Sequence, residues 1–139
     1  MKMMKKMIGM KVNEMMTQEA FFAISGVSYS DNNVRRQVHV KEVKEGQELY
    51  AVPDDQNAFD DTAIKIYADA QLSKPLGFVP KEIAHTMRTR MTQGWTYKLL
   101  VKRVTGGPAP RLYGCNVRII ATKSEEGEKT EEEGKKEGT

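Results

Sequence analysis

Apolar and polar residues alternate along several short stretches of the chain, as they do in half-buried β-strands. Seven such stretches predict six or so strands, and they lie within residues 21–29, 37–43, 49–52, 63–67, 76–79, 95–104 and 112–121. Gly26 lies inside the first stretch and predicts a bend there, because glycine within a strand often marks a bulge. In the last stretch, the alternation of Cys115, Val117 and Ile119 predicts which face is buried.

One stretch, residues 81–93, has the periodicity of a helix instead. Ile83, Met87 and Met91 recur every four residues, which predicts a helix that packs this face on the core. Pro80 precedes the stretch and Gly94 follows it, at positions where these residues often begin and end helices. Many short strands with few helices in about 100 residues predict a mainly β fold, a small barrel or curled sheet.

The two ends of the chain differ in composition from the middle. Residues 1–18 hold seven of the nine methionines and four lysines, and residues 124–139 hold seven Glu, three Lys and no large apolar residue. The second segment has too little apolar surface to offset the entropy lost on ordering. We therefore predict a flexible Met/Lys-rich head at 1–18, one β-domain at 19–123 and a disordered acidic tail at 124–139.

The charge of the central segment is mildly basic, with fifteen Lys and Arg against eleven Asp and Glu over residues 19–123. Such a balance permits a surface that binds phosphates but does not require one. The apolar run MIGM in the head is too short for a membrane span or a signal peptide. We expect a soluble, cytoplasmic protein that has no contact with a membrane.

The residue types needed for common catalytic chemistries are sparse. Cys115 is the single cysteine, so it cannot form a disulfide within the chain. The sequence has no glycine-rich nucleotide loop and no Cys/His cluster for zinc. The pairs Asp54-Asp55 and Asp60-Asp61 offer oxygen ligands for a divalent ion, but their spacing matches no calcium loop. The residues favour a non-enzymatic binding domain that needs no cofactor.

Three segments, taken together, resemble the HIRAN domain family: GVSY at 26–29, NAFDDTAI at 57–64 and LGFVPKEIA at 76–84. They occur in the family's order, and the likeness extends over about residues 21–121. The resemblance implies an OB-like six-stranded β-barrel with one or two helices. It also implies a module that captures the free 3′-hydroxyl end of single-stranded DNA. The best-known members belong to helicase-like ATPases that remodel replication forks, and this short chain resembles the stand-alone bacterial and phage members.

The resemblance assigns DNA contacts to individual residues of this chain. Tyr29 and Phe59 match aromatic residues that lie against the bases of the terminal nucleotides. Asp60 matches a carboxylate that accepts a hydrogen bond from the 3′-hydroxyl. Lys81 matches a basic residue that contacts the phosphate backbone. A phosphate that continued the strand would be repelled by Asp60, so this set of residues implies recognition of an end.

Several positions differ from the end-binding members. Ala58 and Thr62 replace the usual Pro and Asn beside the aspartate. Ser28 stands where they have an arginine, and either Arg35 or Arg36 is the expected substitute. Phe78 stands where they have a histidine, and its ring offers another stacking surface. The expected partner is the 3′ end of single-stranded DNA, with a helicase or nuclease acting in trans during DNA repair or replication-fork processing.

Two other functions stay open, a protein-interaction domain that does not bind DNA and a metal-dependent hydrolase that uses the aspartate pairs. The residues themselves also allow simpler roles. Tyr29 and Phe59 could be core residues, and Lys81 could be a solvated helix residue. Asp60 could cap the turn before Ala63, as Asp often does.

Overall fold

A computed structural model describes residues 15–124 of the chain. The elements in this range are, in order, β1 (Met15–Ala23), β2 (Ser30–Asp31), β3 (Val34–Arg35), α1 (Gln37–Val40), β4 (Glu48–Pro53), β5 (Ile64–Tyr67), β6 (Pro75–Phe78), α2 (Lys81–Met91), β7 (Trp95–Gly106) and β8 (Tyr113–Ser124). The first strand begins at Met15, within the segment expected to be a flexible head. The remainder of that segment and the acidic tail from residue 125 lie outside the described residues.

Within this part of the chain, six strands form one antiparallel sheet in the order β1-β8-β7-β4-β5-β6, and β2 and β3 form a separate hairpin. Just beyond β1, Ser25 pairs with Phe78 of β6 through two backbone hydrogen bonds of 2.8 Å. These bonds join the segment after one outer strand to the other outer strand. The predicted mainly β fold is confirmed, whereas its closure into an OB-like barrel stays a prediction.

The core lies between the sheet and the two helices, and it includes Val40 of α1 as well as residues of α2. The predicted helix is confirmed over Lys81–Met91, two residues shorter than expected, with Met87 and Ala84 buried against the core and Ile83 and Met91 partly buried. The predicted inward face of the last strand is also confirmed, since its alternating apolar residues are buried: Cys115, Val117 and Ile119. Burying a side chain such as Ile64 stabilises the fold by roughly 1.5–3 kcal/mol. No helix in residues 15–124 is long and apolar enough to cross a membrane.

The strand predicted to begin at Gln37 is wrong, because the chain forms the one-turn helix α1 there. Val40 is fully buried whereas Val38 is 48% exposed. Residues two apart share a face in a strand but lie on different sides of a helix. The side chain of Gln37 anchors this turn by donating to the carbonyls of Val27 (3.1 Å) and Tyr113 (2.9 Å) and accepting from the Tyr113 amide (2.7 Å).

The strand predicted over residues 21–29 ends earlier, at Ala23. The predicted bend at Gly26 is confirmed, and its φ of +77° belongs to a region that glycine enters without strain. This bend turns the chain away from the sheet and into the β2–β3 hairpin. It thereby places Tyr29 beside β6, where the candidate site lies.

Candidate functional site

A surface cavity of about 590 Å³ lies where β6, the start of α2, the β4–β5 loop and the turn after β1 meet. Its walls include six of the seven residues predicted from the sequence: Tyr29, Arg36, Phe59, Asp60, Phe78 and Lys81. We call it the first cavity. The seventh residue, Arg35, is not brought to it and lines a different cavity with Lys41 and Arg111.

Two aromatic side chains stand exposed at the first cavity. Tyr29 is 67% exposed and Phe59 is 94% exposed, so neither is a core residue. Phe78 is half-buried and completes the aromatic wall. Exposed rings beside a cavity offer flat apolar faces to a planar ligand.

The loop that carries Phe59 is shaped by side chains that bind its own backbone. Asn57 Oδ1 accepts hydrogen bonds from the amides of Phe59 (2.9 Å) and Asp60 (3.0 Å). Asp60 Oδ1 accepts from the amide (2.9 Å) and the hydroxyl (2.8 Å) of Thr62. The turn-capping role of Asp60 is therefore confirmed, and it follows from the tendency of Asn and Asp to bond backbone amides two residues on.

The same hydrogen bonds affect the charge of Asp60. The backbone amide of Thr62 is the main cause that lowers the pKa of this carboxyl, followed by the Thr62 hydroxyl and the nearby charge of Lys81. Asp60 is therefore ionised at neutral pH. Lys81 is the exposed first residue of α2, so an ammonium and a carboxylate both face the first cavity.

Arg88 of α2 holds the other end of this loop, a role that the sequence did not reveal. Its guanidinium donates to the carbonyl oxygen of Ala63 (3.0 Å) and forms an ion pair with Asp55. The aspartate pairs proposed for a metal-dependent hydrolase do not gather into a ligand set. Across residues 15–124, no three His, Cys, Asp or Glu side chains are placed to hold a metal ion together.

A partly buried ion cluster lies behind the aromatic wall. Arg36 is only 6% exposed and donates to both carboxylate oxygens of Asp31, at 2.7 and 3.0 Å, and to the carbonyl of Gly26 at 2.8 Å. Lys65 Nζ lies 2.8 Å from Asp31 Oδ1. The hydrogen bond from Arg36 is the largest cause that lowers the pKa of Asp31 to about 2. Such bidentate pairs fix geometry as well as charge.

The cluster positions the rings of the first cavity. The guanidinium carbon of Arg36 lies 5.2 Å from the ring centroid of Phe78 and 6.0 Å from that of Tyr29. Lys65 Nζ lies 5.6 Å from the Phe78 centroid. These are distances at which a cation attracts an aromatic face. Three of the five N–H donors of Arg36 already have partners within the protein.

Asp31 was not predicted as a site residue. It begins a tight turn in which Asn32 and Asn33 have φ of 51° and 69°. The signal that could have identified Asp31 is its position across this Asn-Asn turn from two consecutive arginines. A carboxylate there is well placed to pair with one of them.

Together, the fold and the cavity define a small antiparallel β-domain with a binding surface of exposed aromatic and charged side chains. The family model of the HIRAN domain matches residues 17–121, which is most of the chain. The chain therefore belongs to the HIRAN domain family. HIRAN domains are DNA-binding modules and are not catalytic in themselves.

Two solved structures share this fold. A crystal structure of a protein from Lactobacillus plantarum is 15% identical with a TM-score of 0.58, covering 79% of this chain and 99% of that chain. The crystal structure of the HIRAN domain of human HLTF is 17% identical with a TM-score of 0.56, covering 87% of this chain and 89% of that chain. At these identities the likeness shows a common fold alone. A comparison with curated protein sequences found no match.

Proposed function

We propose that this domain binds single-stranded DNA in the first cavity and recognises a free 3′-hydroxyl end there. The observation that carries the proposal is the placement of two exposed rings, Tyr29 and Phe59, beside the ionised carboxylate of Asp60 in a HIRAN domain. Stacking of a base on an aromatic ring contributes roughly 1–3 kcal/mol and tolerates any base. The rings therefore supply affinity without sequence preference.

Asp60 supplies the recognition of the end. Thr62 occupies Oδ1, whereas Oδ2 forms no hydrogen bond with any described residue. Oδ2 is thus available to accept a hydrogen bond from a terminal hydroxyl. A strand that continued, or ended in phosphate, would place a negative charge against the carboxylate. A hydrogen bond from the terminal hydroxyl to this carboxylate is favourable and contact with a terminal phosphate is repulsive, so the domain should prefer the hydroxyl end.

The phosphates next to the end have two partners in the first cavity. Lys81 lies at the N-terminus of α2, where the first amides and the helix dipole also favour an anion. Arg36 has two N–H donors beyond those bonded to Asp31 and Gly26, and it lies beside Phe78. An OB-like curl of the sheet is supported by the Ser25–Phe78 bridge, which forms one wall of this cavity.

The biological role that fits this chemistry is presentation of a DNA end. Because HIRAN domains bind rather than catalyse, an enzyme acting in trans would process the captured end. A helicase or a nuclease that works in DNA repair or at replication forks is the partner we propose.

Fluorescence anisotropy with two labelled oligonucleotides tests the proposal. Both have the same short single-stranded sequence, and one ends in a 3′-hydroxyl whereas the other ends in a 3′-phosphate. The domain should bind the hydroxyl end more tightly. Asp60→Asn keeps a carbonyl oxygen that can accept from Thr62 but removes the charge, so it should lose this preference while keeping most of the affinity.

Asp61→Asn is the matched control, because it makes the same chemical change at the exposed neighbouring position. It should leave the preference intact. Equal binding of both oligonucleotides by the unaltered domain would refute recognition of the end and leave a general single-strand binder. Failure to bind either oligonucleotide would refute DNA binding altogether and favour a protein-interaction domain.

A further inference from the structure

A second cavity, of about 250 Å³, lies next to the β2–β3 hairpin. Three cationic residues from three separate segments line it, namely Arg35, Lys41 and Arg111. Its other lining residues carry no charge, and they include Gln37 and Tyr113. The resemblance to the family offered Arg35, as an alternative to Arg36, for the DNA end, but Arg35 lines this second cavity.

The cations of the second cavity have no acidic partners among the described residues. Within residues 15–124, none of the three forms an ion pair, and no carboxylate lines the cavity. In contrast, Arg36 and Lys65 near the first cavity are both paired with Asp31. Three like charges around one small cavity repel one another unless an anion lies between them. The charge pattern therefore points to a polyanionic ligand.

The floor of the second cavity is fixed before any ligand binds. Gln37 uses both ends of its amide to bind the backbone of Tyr113, at 2.7 and 2.9 Å. The backbone amide of Arg111 donates a hydrogen bond of 3.1 Å to the carbonyl of Pro108 and so closes the loop that carries Arg111. Little backbone rearrangement is needed to present the three cations, which reduces the entropic cost of binding.

The second cavity is a close neighbour of the first. Arg35 and Arg36 are adjacent in the chain, yet they line different cavities. Ser30, which pairs with Arg35 across the hairpin, lines the first cavity. Paired strands lie about 4.8 Å apart, and each nucleotide of a strand in duplex geometry advances about 3.4 Å along the helix axis. A strand that ends in the first cavity can therefore reach the second within a few nucleotides.

We infer that the second cavity binds the sugar–phosphate backbone of the same DNA strand, a few nucleotides before the end held in the first cavity. This inference rests on the proposed function and adds a site to it. The first cavity reads the end through rings and a carboxylate, and the second supplies unpaired positive charge. Each phosphate neutralised on a single strand adds about 0.7 to the slope of log affinity against log salt concentration. Three cations therefore contribute a slope of about 2.

The test compares two triple variants with the same change in net charge. One of them, the cavity variant, neutralises the second cavity through Arg35→Gln, Lys41→Gln and Arg111→Gln. Lys44→Gln, Lys74→Gln and Lys98→Gln together are the control, because these exposed lysines line neither cavity. Affinity is measured by anisotropy for a dinucleotide, whose single phosphate lies next to the end, and for a strand of about twelve nucleotides, both with 3′-hydroxyl ends, at several salt concentrations.

For the longer strand, the unaltered domain should lose about 20-fold more affinity than the cavity variant between about 50 and about 200 mM salt. For the shorter strand, salt should weaken binding by the same factor in the unaltered domain and in the cavity variant. The control variant should show the same salt dependence as the unaltered domain for both strands. Thermal melts verify that the variants fold. If the cavity variant does not fold, Lys41→Gln alone takes its place and should reduce the steepness of the salt dependence for the longer strand by about 0.7.

Each remaining outcome overturns the inference in a recognisable way. If the cavity variant and the control behave alike on the longer strand, the second cavity does not bind the backbone, although the first still binds the end. If the cavity variant weakens both lengths equally, its cations act at the first cavity. If the unaltered domain binds neither strand, the proposed function fails and this inference fails with it.

Discussion

Replacement of Asp31 by Asn should expose the part played by the ion cluster. Asp31 holds Arg36 through two hydrogen bonds and Lys65 through a third. Asparagine has nearly the same shape but no charge, and only one oxygen can accept. The guanidinium of Arg36, whose side chain is 7% exposed, would then lack its counter-ion in a mostly dry environment. We expect a clear loss of stability and a looser aromatic wall at the first cavity.

The size of the loss follows from the titration of Asp31. Its pKa falls from an ordinary value of 3.8 to about 2 in the folded protein, with the Arg36 hydrogen bond as the main cause. A difference of roughly two units corresponds to about 2.5 kcal/mol of folding free energy. The Asp31 side chain is 20% exposed, so solvent screens the pair only in part. For a domain of this size, that loss lowers the melting temperature by about 10 °C at pH 7.

The dependence on pH has a defined sign. The pKa of Asp31 is lower in the folded than in the unfolded state, so its contribution is complete above about pH 4 and declines as the pH falls towards 2. The difference in melting temperature between Asp31→Asn and the unaltered domain should therefore shrink to about half at pH 3. Asp61→Asn, an exposed control, should not shift the melting temperature. A gap under about 2 °C at pH 7, or an equal gap at pH 3 and 7, would refute the reasoning.

Two further predictions concern the rings and the sheet. Tyr29→Ala and Phe59→Ala should each weaken binding of single-stranded DNA by roughly 5- to 150-fold in anisotropy, with the melting temperature nearly unchanged because both rings are exposed. Phe21→Ala, which removes another exposed ring, should not weaken binding, and equal losses in all three would contradict the assignment. Gly77→Ala would place a methyl group 2.3 Å from a carbonyl oxygen across the β6 bridge, so urea unfolding should show a loss above about 3 kcal/mol. Gly46→Ala, at φ +84° with open space around it, should cost only about 1–2 kcal/mol, and a similar loss in both would contradict the role of the bridge.

The elements that the sequence predicted well are those in which one face is buried along several turns or strand residues. The stripe of Ile83, Met87 and Met91 predicted α2, and Gly94, with φ +94°, follows it as expected. Alternation at Cys115 and beyond predicted the inner face of β8 in the same way. Burial on one side imposes a period on the sequence, and that period can be read without knowledge of the partner element.

Short elements held by distant contacts could not be predicted in this way. The helix α1 is one turn long, and Val38 and Val40 imitate strand alternation within it. Its anchor is the hydrogen bonding of Gln37 to Tyr113, which lies 76 residues later in the chain. Nothing local marks Gln37 as an anchor, so the pattern of apolar residues alone favours the wrong element.

The candidate site, like the fold, was predicted in part from the sequence. The family's motifs brought Tyr29, Phe59 and Asp60 to notice, and the structure gathers them at one cavity. Adjacent arginines could not be told apart in the sequence, because only the path of the hairpin decides that Arg36 faces the first cavity and Arg35 the second. The DNA contacts assigned to these residues stay predictions until the binding measurements are made.

The division of charge between the two cavities determines how salt should act on DNA binding. At the first cavity, Asp31 pairs with Arg36 and Lys65, and the charge of Asp60 offsets that of the nearby Lys81, so the net positive charge around this cavity is small. Added salt should therefore weaken binding mainly through the unpaired cations of the second cavity. The contrast between a hydroxyl and a phosphate end depends instead on direct contact with Asp60, within a distance shorter than the Debye length of about 8 Å at physiological salt. We expect the affinity for DNA to fall steeply with salt, whereas the preference for the hydroxyl end should change little. If this preference vanished by about 0.2 M salt, recognition of the end would depend on long-range charge rather than on contact with Asp60.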